Sequence, residues 1–262
     1  MKVITLLTDF GYEDTYVAQM KGVILNIAGD VKIVDLSHAL SRHNIEEGAF
    51  LLYTSIPYFP RGSIHVAVVD PGVGTERRGI LVRTEDYYLV GPDNGLLIPA
   101  AKRCKDFDVF EITNESLLLP LITHTFHARD VFAPVAAHLA NGIPPEGIGK
   151  KIQDFVDFDI EFGRVEDGKI LGKVIHIDRF GNIITNVEGN LIVRHAKYGD
   201  VLHVEIGKKR LSLPFLKTYG YAEKGKPLVT IGGNGYVEIS INQGNASEKF
   251  GAKAGMEIIL SL

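Results

Sequence analysis

The most unusual stretch of this chain runs from Asp70 to Arg78 and reads Asp-Pro-Gly-Val-Gly-Thr-Glu-Arg-Arg. It follows an apolar run at residues 64–69, which is typical of a buried strand. A carboxylate that ends such a strand is partly desolvated and needs ligand hydroxyls, a cation or backbone N–H groups as partners. The two glycines let the backbone approach a ligand closely. The segment lacks the signatures of a phosphate loop, and a plain turn with solvated arginines stays an alternative.

A second carboxylate, Asp9, also ends an apolar run, at residues 3–8, and a polar Asp93-Asn94-Gly95 turn follows a later one. In open α/β sheets, ligands bind where strands give way to loops at their carboxyl ends. Each aspartate alone could simply cap the next turn. Two of them at strand ends in one domain favour a binding or catalytic site.

Residues 124–130 read His-Thr-Phe-His-Ala-Arg-Asp and bring imidazoles close to a carboxylate. A metal-dependent hydrolase using His124, His127 and Asp130 is one interpretation, to which His38 and His43 could add ligands. No helix is evident before Asp130, so the two histidines need not share a face, and we expect no metal. The chain has no Gly-x-Ser-x-Gly elbow, which argues against a serine hydrolase.

The second half contains a short segment, residues 177–182, that combines a carboxylate, an aromatic ring and an amide. Asp178 can hold an amine, Phe180 can stack on a base, and Asn182 can pair with a base edge. A hairpin with a buried phenylalanine is the plainer interpretation. The Gly232-Gly233-Asn234-Gly235 segment is another turn rich in accessible backbone.

The secondary-structure elements predicted around these residues follow two different patterns in the two halves of the chain. Up to about residue 150, apolar runs alternate with helical periods, and Asp14, Asn44 and Asp130 are candidate helix caps. This pattern predicts an α/β N-terminal domain, residues 1–155, with a central mostly parallel sheet that carries the catalytic residues. An acidic linker follows, and short strands then predict a small antiparallel β C-terminal domain at residues 168–262 that completes the site.

Composition narrows the function classes. The 262 residues carry a net charge of −4, so we expect no nucleic-acid partner. A single cysteine, Cys104, predicts a reducing, cytoplasmic setting. The first apolar run is too short for a signal sequence or a membrane span, and we expect no membrane association.

Taken in order along the chain, short motifs resemble the S-adenosyl-L-methionine (SAM) hydroxide adenosyltransferase family, the SAM hydrolases related to the SAM-dependent fluorinase and chlorinase. The motifs are Thr8-Asp9-Phe10-Gly11 with Asp14 and Tyr16, Arg42-His43-Asn44-Ile45 with Glu46-Glu47-Gly48, Asp70 to Arg77, Pro92-Asp93-Asn94-Gly95, Phe126-His127-Ala128-Arg129-Asp130, Phe180-Gly181-Asn182 and Asn234-Gly235-Tyr236. The resemblance implies an α/β N-terminal and a β C-terminal domain, without a cofactor. It also implies a homotrimer that holds SAM between neighbouring subunits. The implied activity is hydrolysis of SAM to adenosine and L-methionine by attack of water or hydroxide at ribose C5′.

The resemblance also implies roles for individual residues. The water-activating set would be Asp70, Arg77 and His127, and Asp9 would hold the ribose hydroxyls. The remaining implied substrate-binding residues are Asp14, Tyr16, Phe126, Ala128, Asp178, Phe180, Asn182, Tyr219, Gly233 and Asn234.

Some positions depart from the halogenating relatives. The stretch between Gly79 and Gly91 is too short for their extra loop, and Ala128 stands where the fluorinase has a halide-pocket serine. His43 replaces an aromatic residue, and Gly233-Asn234 replaces a Ser-Arg pair at the methionine end. Two alternatives follow: a SAM-dependent halogenase, which the first two departures disfavour, and a SAM- or adenosine-binding sensor with little turnover.

Overall fold

Short apolar runs dominate both halves of the sequence, and in the computed structural model, which describes residues 2–261, they form two β-sheets. The chain divides into two compact units, the first ending at Ile160 and the second beginning at Glu161. Among the helices of residues 2–261, none combines the length and the apolar character needed to cross a membrane.

The first unit contains a seven-stranded sheet. Its strands are β1 (Lys2–Thr8), β2 (Val31–Ser37), β3 (Ile64–Val68), β4 (Gly79–Thr84), β5 (Tyr88–Pro92), β6 (Phe107–Ile112) and β7 (Gly149–Ile152). Its helices are α1 (Tyr16–Ile27), α2 (Ile45–Ser55), α3 (Ile98–Arg103), α4 (Ala133–Ala140) and α5 (Pro145–Ile148), with a π-helix at Ala128–Phe132 and 3₁₀ turns at Ile56–Tyr58 and Glu115–Leu117.

The predicted fold class is wrong, because this sheet is mixed and not mostly parallel. Its order is β2-β1-β3-β5-β4-β6-β7; the β1–β2, β1–β3 and β3–β5 pairs are parallel, and the remaining three pairs are antiparallel. The physical reason lies between β4 and β5, which only residues 85–87 connect. A parallel pair needs a crossover of a dozen or more residues. A connection of only three residues therefore forces β4 and β5 to form an antiparallel hairpin.

Helices pack on both faces of this sheet. Met20 and Ile24 of α1 share a buried cluster with residues of α4, and α2 and α3 contribute to a second cluster. The Asn44 cap of α2 is confirmed, since its side chain accepts from Glu47 N. The other two caps are wrong: α1 is preceded by Thr15 without a side-chain cap, and Asp130 lies inside the π-helix.

The second unit is built around an eight-stranded sheet. Its strands are β8 (Arg164–Glu166), β9 (Lys169–Ile177), β10 (Ile183–Glu188), β11 (Val201–Ile206), β12 (Lys209–Pro214), β13 (Pro227–Ile231), β14 (Tyr236–Ile241) and β15 (Glu257–Ser261), with helices α6 (Gly189–Ile192) and α7 (Ala246–Phe250) and a 3₁₀ turn at Tyr219–Tyr221.

This second sheet is too large for the small added domain that the sequence pattern indicated. All of its strand pairings are antiparallel, in the order β12-β11-β15-β9-β10-β14-β13, with β8 beside β9. Just after β12, Phe215 forms a bridge with Val229 of β13, so the two edges of the sheet approach each other. The sheet is therefore nearly barrel-shaped around its apolar core, and closure of this kind leaves few strand edges exposed.

A histidine in the core of the first unit makes stability depend on pH. His65 on β3 is 0% exposed, and its Nδ1 lies 2.7 Å from Thr5 Oγ1. Burial lowers the pKa of His65 from 6.5 to about 3. The unfolded chain therefore binds a proton that the folded chain does not bind between these pH values, and stability falls as pH drops through this window.

We expect the free energy of unfolding to fall by as much as about 2 kcal/mol between about pH 6.5 and about pH 5 because of this one group. Urea unfolding of the parent chain and of His65→Gln at both pH values measures the effect. The loss should shrink in His65→Gln and persist in His203→Gln, which changes an exposed histidine. Equal losses in all three proteins would contradict this role for His65.

Candidate active site

The segment after β3 forms a tight loop that projects Asp70. Val73 N donates to Asp70 O, and Thr75 donates to the Gly72 carbonyl from both its backbone N and its Oγ1. Gly74 has φ of 77°, and a Cβ there would collide with the carbonyl oxygen of His124. Only glycine fits this contact. The loop that carries Asp70 and the segment that carries His127 therefore pack directly against each other.

Asp70, Arg77 and His127 form one connected group. Arg77 Nε donates to Asp70 Oδ1 at 3.1 Å, and Arg77 Nη2 donates to Asp70 Oδ2 at 2.5 Å. The same Nη2 lies 3.2 Å from His127 Nδ1. The side chains of Asp70 and Arg77 are 6% and 8% exposed, so this paired arrangement is largely withdrawn from water. Arg77 thus bridges a carboxylate and an imidazole.

The surroundings shift the pKa of both titratable members. Burial raises the pKa of Asp70, although the charge and hydrogen bonds of Arg77 oppose the shift. Burial and the Arg77 charge lower the pKa of His127, while the carboxylates of Asp70 and Asp130 act in the opposite direction. His127 is therefore neutral near pH 7, and because Nδ1 accepts from Arg77, its proton lies on Nε2. The group offers a carboxylate of increased basicity beside an imidazole N–H donor.

The neighbouring arginine, Arg78, has a different partner. Its Nη2 donates to Asp93 Oδ2 at 2.8 Å, and its guanidinium also contacts Asp154. The other Asp93 oxygen accepts from Val156 N, and Asn94 Nδ2 donates to the Val69 carbonyl. The Asp93-Asn94-Gly95 turn thus anchors residues 154–156 and the end of the strand before Asp70, which gives it a structural role.

A short π-helix begins directly after His127. Ala128, at its start, is buried, and Asp130 accepts from Thr123 through both the backbone N and the hydroxyl. Asp130 also accepts from Arg129 Nε at 2.6 Å. These bonds close the loop that carries His127. Residues 2–261 contain no group of three or more His, Cys, Asp and Glu side chains arranged to hold a metal ion.

Asp9 lies at the end of β1, where its Oδ2 accepts from His43 N at 2.9 Å. Its turn is held by His38, a residue for which no such role was predicted. The His38 carbonyl accepts from Gly11 N, and its Nδ1 lies 2.7 Å from Thr8 Oγ1. The two ends of the Asp9 turn are therefore fixed by one buried histidine. The available signal was its position one residue beyond the neighbouring parallel strand β2.

Near the start of α1, aromatic rings border an open cavity of about 440 Å³. The ring centroids of Tyr16 and Phe126 are 5.1 Å apart, and Phe10 contacts both rings edge-on. Asp14 is exposed in the turn before the helix. Of the residues proposed from sequence, Tyr16 and Phe126 lie together here.

A larger cavity, of about 720 Å³, opens in the second unit. Asp178, Phe180, Asn182 and Tyr219 all line it. Asp178 Oδ1 accepts from the backbone N of Phe180 and of Asn182, and its Oδ2 accepts from Asn182 Nδ2. The turn thereby presents an exposed aromatic ring next to a fixed carboxylate and amide.

Two other residues of the second unit are placed differently. Gly233 and Asn234 belong to the turn between β13 and β14, outside the residues that line this cavity.

The sequence patterns predicted no role for Glu238, which is buried on β14 and accepts a hydrogen bond from Tyr219 OH at 2.7 Å. Its signal was a single charged residue in a strand that otherwise carries no charge.

Known proteins and family models match this chain over nearly its whole length. Residues 4–149 match the model of the SAM hydroxide adenosyltransferase N-terminal domain, and residues 172–259 match that of the C-terminal domain. A protein of Methanocaldococcus jannaschii named (R)-S-adenosyl-L-methionine hydrolase is 41% identical, covering 95% of this chain and 91% of the relative. A Thermus thermophilus protein of the same name is 38% identical, covering 99% and 100%.

A more distant relative and a solved structure also match nearly the full length of this chain. A fluorinase of Actinopolyspora mzabensis is 29% identical, covering 98% of this chain and 96% of the relative. An uncharacterized conserved protein from Thermotoga maritima has a crystal structure that superposes with a TM-score of 0.94 at 35% identity, covering 99% of this chain and 100% of that one.

Proposed function

Because this chain belongs to the SAM hydroxide adenosyltransferase family, we propose that it hydrolyses SAM to adenosine and L-methionine by attack of water at ribose C5′. The observation that supports this reaction best is the buried Asp70–Arg77–His127 group, which joins a carboxylate of raised pKa to a neutral imidazole. Such a pair suits the handling of one proton and one water molecule.

The chemistry explains why such a group is sufficient. The sulfonium of SAM departs as a neutral thioether, so its departure requires no general acid. Water is a weak nucleophile, and it must attack C5′ in line with the departing sulfur. Attack by a hydroxide-like oxygen on a cation removes charge, and a site poor in water favours that change if the oxygen is held in place.

In this proposal, Asp70 accepts the proton of the attacking water. Burial makes Asp70 more basic, whereas His127 Nδ1 is already occupied by the Arg77 hydrogen bond. His127 donates Nε2–H to the water oxygen and orients it towards C5′. Arg77 keeps Asp70 ionised at neutral pH and limits the cost of burying its charge.

We propose two further groups of contacts with substrate. Asp9 receives the ribose hydroxyls, as its strand-end position supports, and Asp178, Phe180, Asn182 and Tyr219 receive adenine and the methionine amine around their shared cavity. From the family resemblance and the composition, we also propose a homotrimer that holds SAM between subunits and a cytoplasmic setting. Further substrate contacts are proposed for Asp14, Tyr16, Phe126, Ala128, Gly233 and Asn234.

The reaction is tested by incubating the protein with SAM in ¹⁸O-labelled water and separating the products by chromatography with mass detection. We expect adenosine with the label in its 5′-hydroxyl, together with unlabelled L-methionine, because the water oxygen forms the new bond to C5′. A parallel incubation with fluoride or chloride should give no 5′-halo-adenosine. Halogenated product would favour a halogenase, and an absence of all turnover would favour a binding protein.

A further inference from the structure

The larger cavity of the second unit has a buried carboxylate behind one of its walls. Glu238 is 5% exposed, and its Oε1 accepts from Tyr219 OH at 2.7 Å and from Ser240 Oγ at 3.2 Å. Its Oε2 lies against Gly232, where a Cβ would collide with it. Tyr219 lines the cavity, so Glu238 stands one aromatic side chain away from any ligand there.

The hydrogen bonds to both carboxylates near this cavity come from neutral groups. The partners of Glu238 are two neutral hydroxyls, and those of Asp178 are amide N–H groups. Burial raises the pKa of Glu238, and the charge of Asp178 raises it further.

An uncompensated buried charge is costly, and a cationic ligand in the adjoining cavity relieves that cost. Aromatic rings also attract cations, and Phe180 and Tyr219 line the same space. The cavity is thus complementary to an aromatic ligand that carries a positive charge. The methionine amine is common to SAM and to a thioether of the same shape, so only the sulfonium charge adds an electrostatic attraction that the thioether lacks.

We propose that Glu238 is a specificity-determining residue, whose buried carboxylate makes this cavity prefer the cationic sulfonium of SAM over a neutral thioether of the same shape. This inference rests on the proposed function for the identity of the ligand. It deepens that function, since the discrimination favours substrate over molecules that have lost the sulfonium charge. Glu238 acts through its field and does not touch the reacting atoms.

The test compares two SAM analogues that have no sulfonium and that the enzyme therefore cannot hydrolyse there. Sinefungin carries a protonated amine where SAM has its sulfonium, and S-adenosyl-L-homocysteine has a neutral thioether. Calorimetric titration gives the Kd of each ligand for the parent protein and for Glu238→Gln, which keeps an acceptor for Tyr219. We expect the preference for sinefungin to fall on the order of 10-fold in Glu238→Gln, because one nearby charge has been removed.

Two control variants separate charge from structure. Glu223→Gln removes an exposed carboxylate of the same unit and should leave the preference unchanged. Tyr219→Phe keeps the ring and the Glu238 charge but removes their hydrogen bond, and should weaken both ligands equally. An unchanged preference in Glu238→Gln, or an equal loss of preference in Tyr219→Phe, overturns the proposal. Turnover of SAM by the parent protein is measured separately, so a failure of the proposed function is recognised independently.

Discussion

Replacing Asp70 with asparagine should lower kcat for SAM hydrolysis by about 10²–10⁴-fold, the usual contribution of a general base. The amide keeps the size of the carboxylate and can still accept from Arg77, but it cannot take a proton from water. Binding of SAM should be retained because the proposed adenine contacts lie elsewhere. Initial rates of adenosine formation, together with calorimetric binding, measure the two effects separately.

The matched control for this variant is Asp30→Asn, which changes an exposed aspartate of the same unit. Its kcat should equal that of the parent protein. Thermal unfolding of both variants checks that the loss does not come from misfolding. Unchanged turnover in Asp70→Asn would remove Asp70 from the mechanism, whatever the binding result.

Replacing Arg77 with glutamine should affect both catalysis and stability. It leaves the buried Asp70 without its cation, and breaking such a pair costs about 3–5 kcal/mol of unfolding free energy. Loss of the nearby positive charge also raises the pKa of Asp70, so a larger fraction of this base is protonated at neutral pH. We expect a rate at least about 10²-fold lower near pH 7.

The pH dependence of the rate distinguishes this effect from the loss of the base itself. In Arg77→Gln the rate should recover partly as pH rises, because Asp70 ionises at the higher pH. In Asp70→Asn no such recovery is possible. A profile for Arg77→Gln that is parallel to the parent profile, only lower, would contradict the assignment of Asp70 as the titrating group.

Arg78→Gln is the matched control, because the same change is made one residue along the chain. Arg78 pairs with Asp93 and contacts Asp154, so we expect lower stability with a pH profile like that of the parent protein. Rates across a pH series for both arginine variants, with urea unfolding of each, complete the comparison. If Arg78→Gln also shifts the profile, the separation of the two arginines in function is wrong.

Local sequence signals identified several elements because the physics that forms them is local. The Asn44 cap lies three residues before Glu47, and residues 64–68 of the apolar run at 64–69 form a buried strand. Strand direction was only partly local, because the short connection between β4 and β5 indicates a hairpin, whereas β6 and β7 pair across more distant segments of the chain. The mixed sheet follows from the short connection between β4 and β5 and from β6 and β7, two strands that were not predicted.

The family and the residue types available for catalysis could be recognised without a structure, because ordered motifs such as Asp70 to Arg77 are visible in the amino-acid order alone. Which side chains contact each other is known only from the fold. Arg77 and Arg78 are indistinguishable as letters, yet the first pairs with Asp70 and the second with Asp93. The reason is that pairing depends on side-chain direction and burial. Both are fixed by contacts between segments far apart in the chain, such as Gly74 against His124.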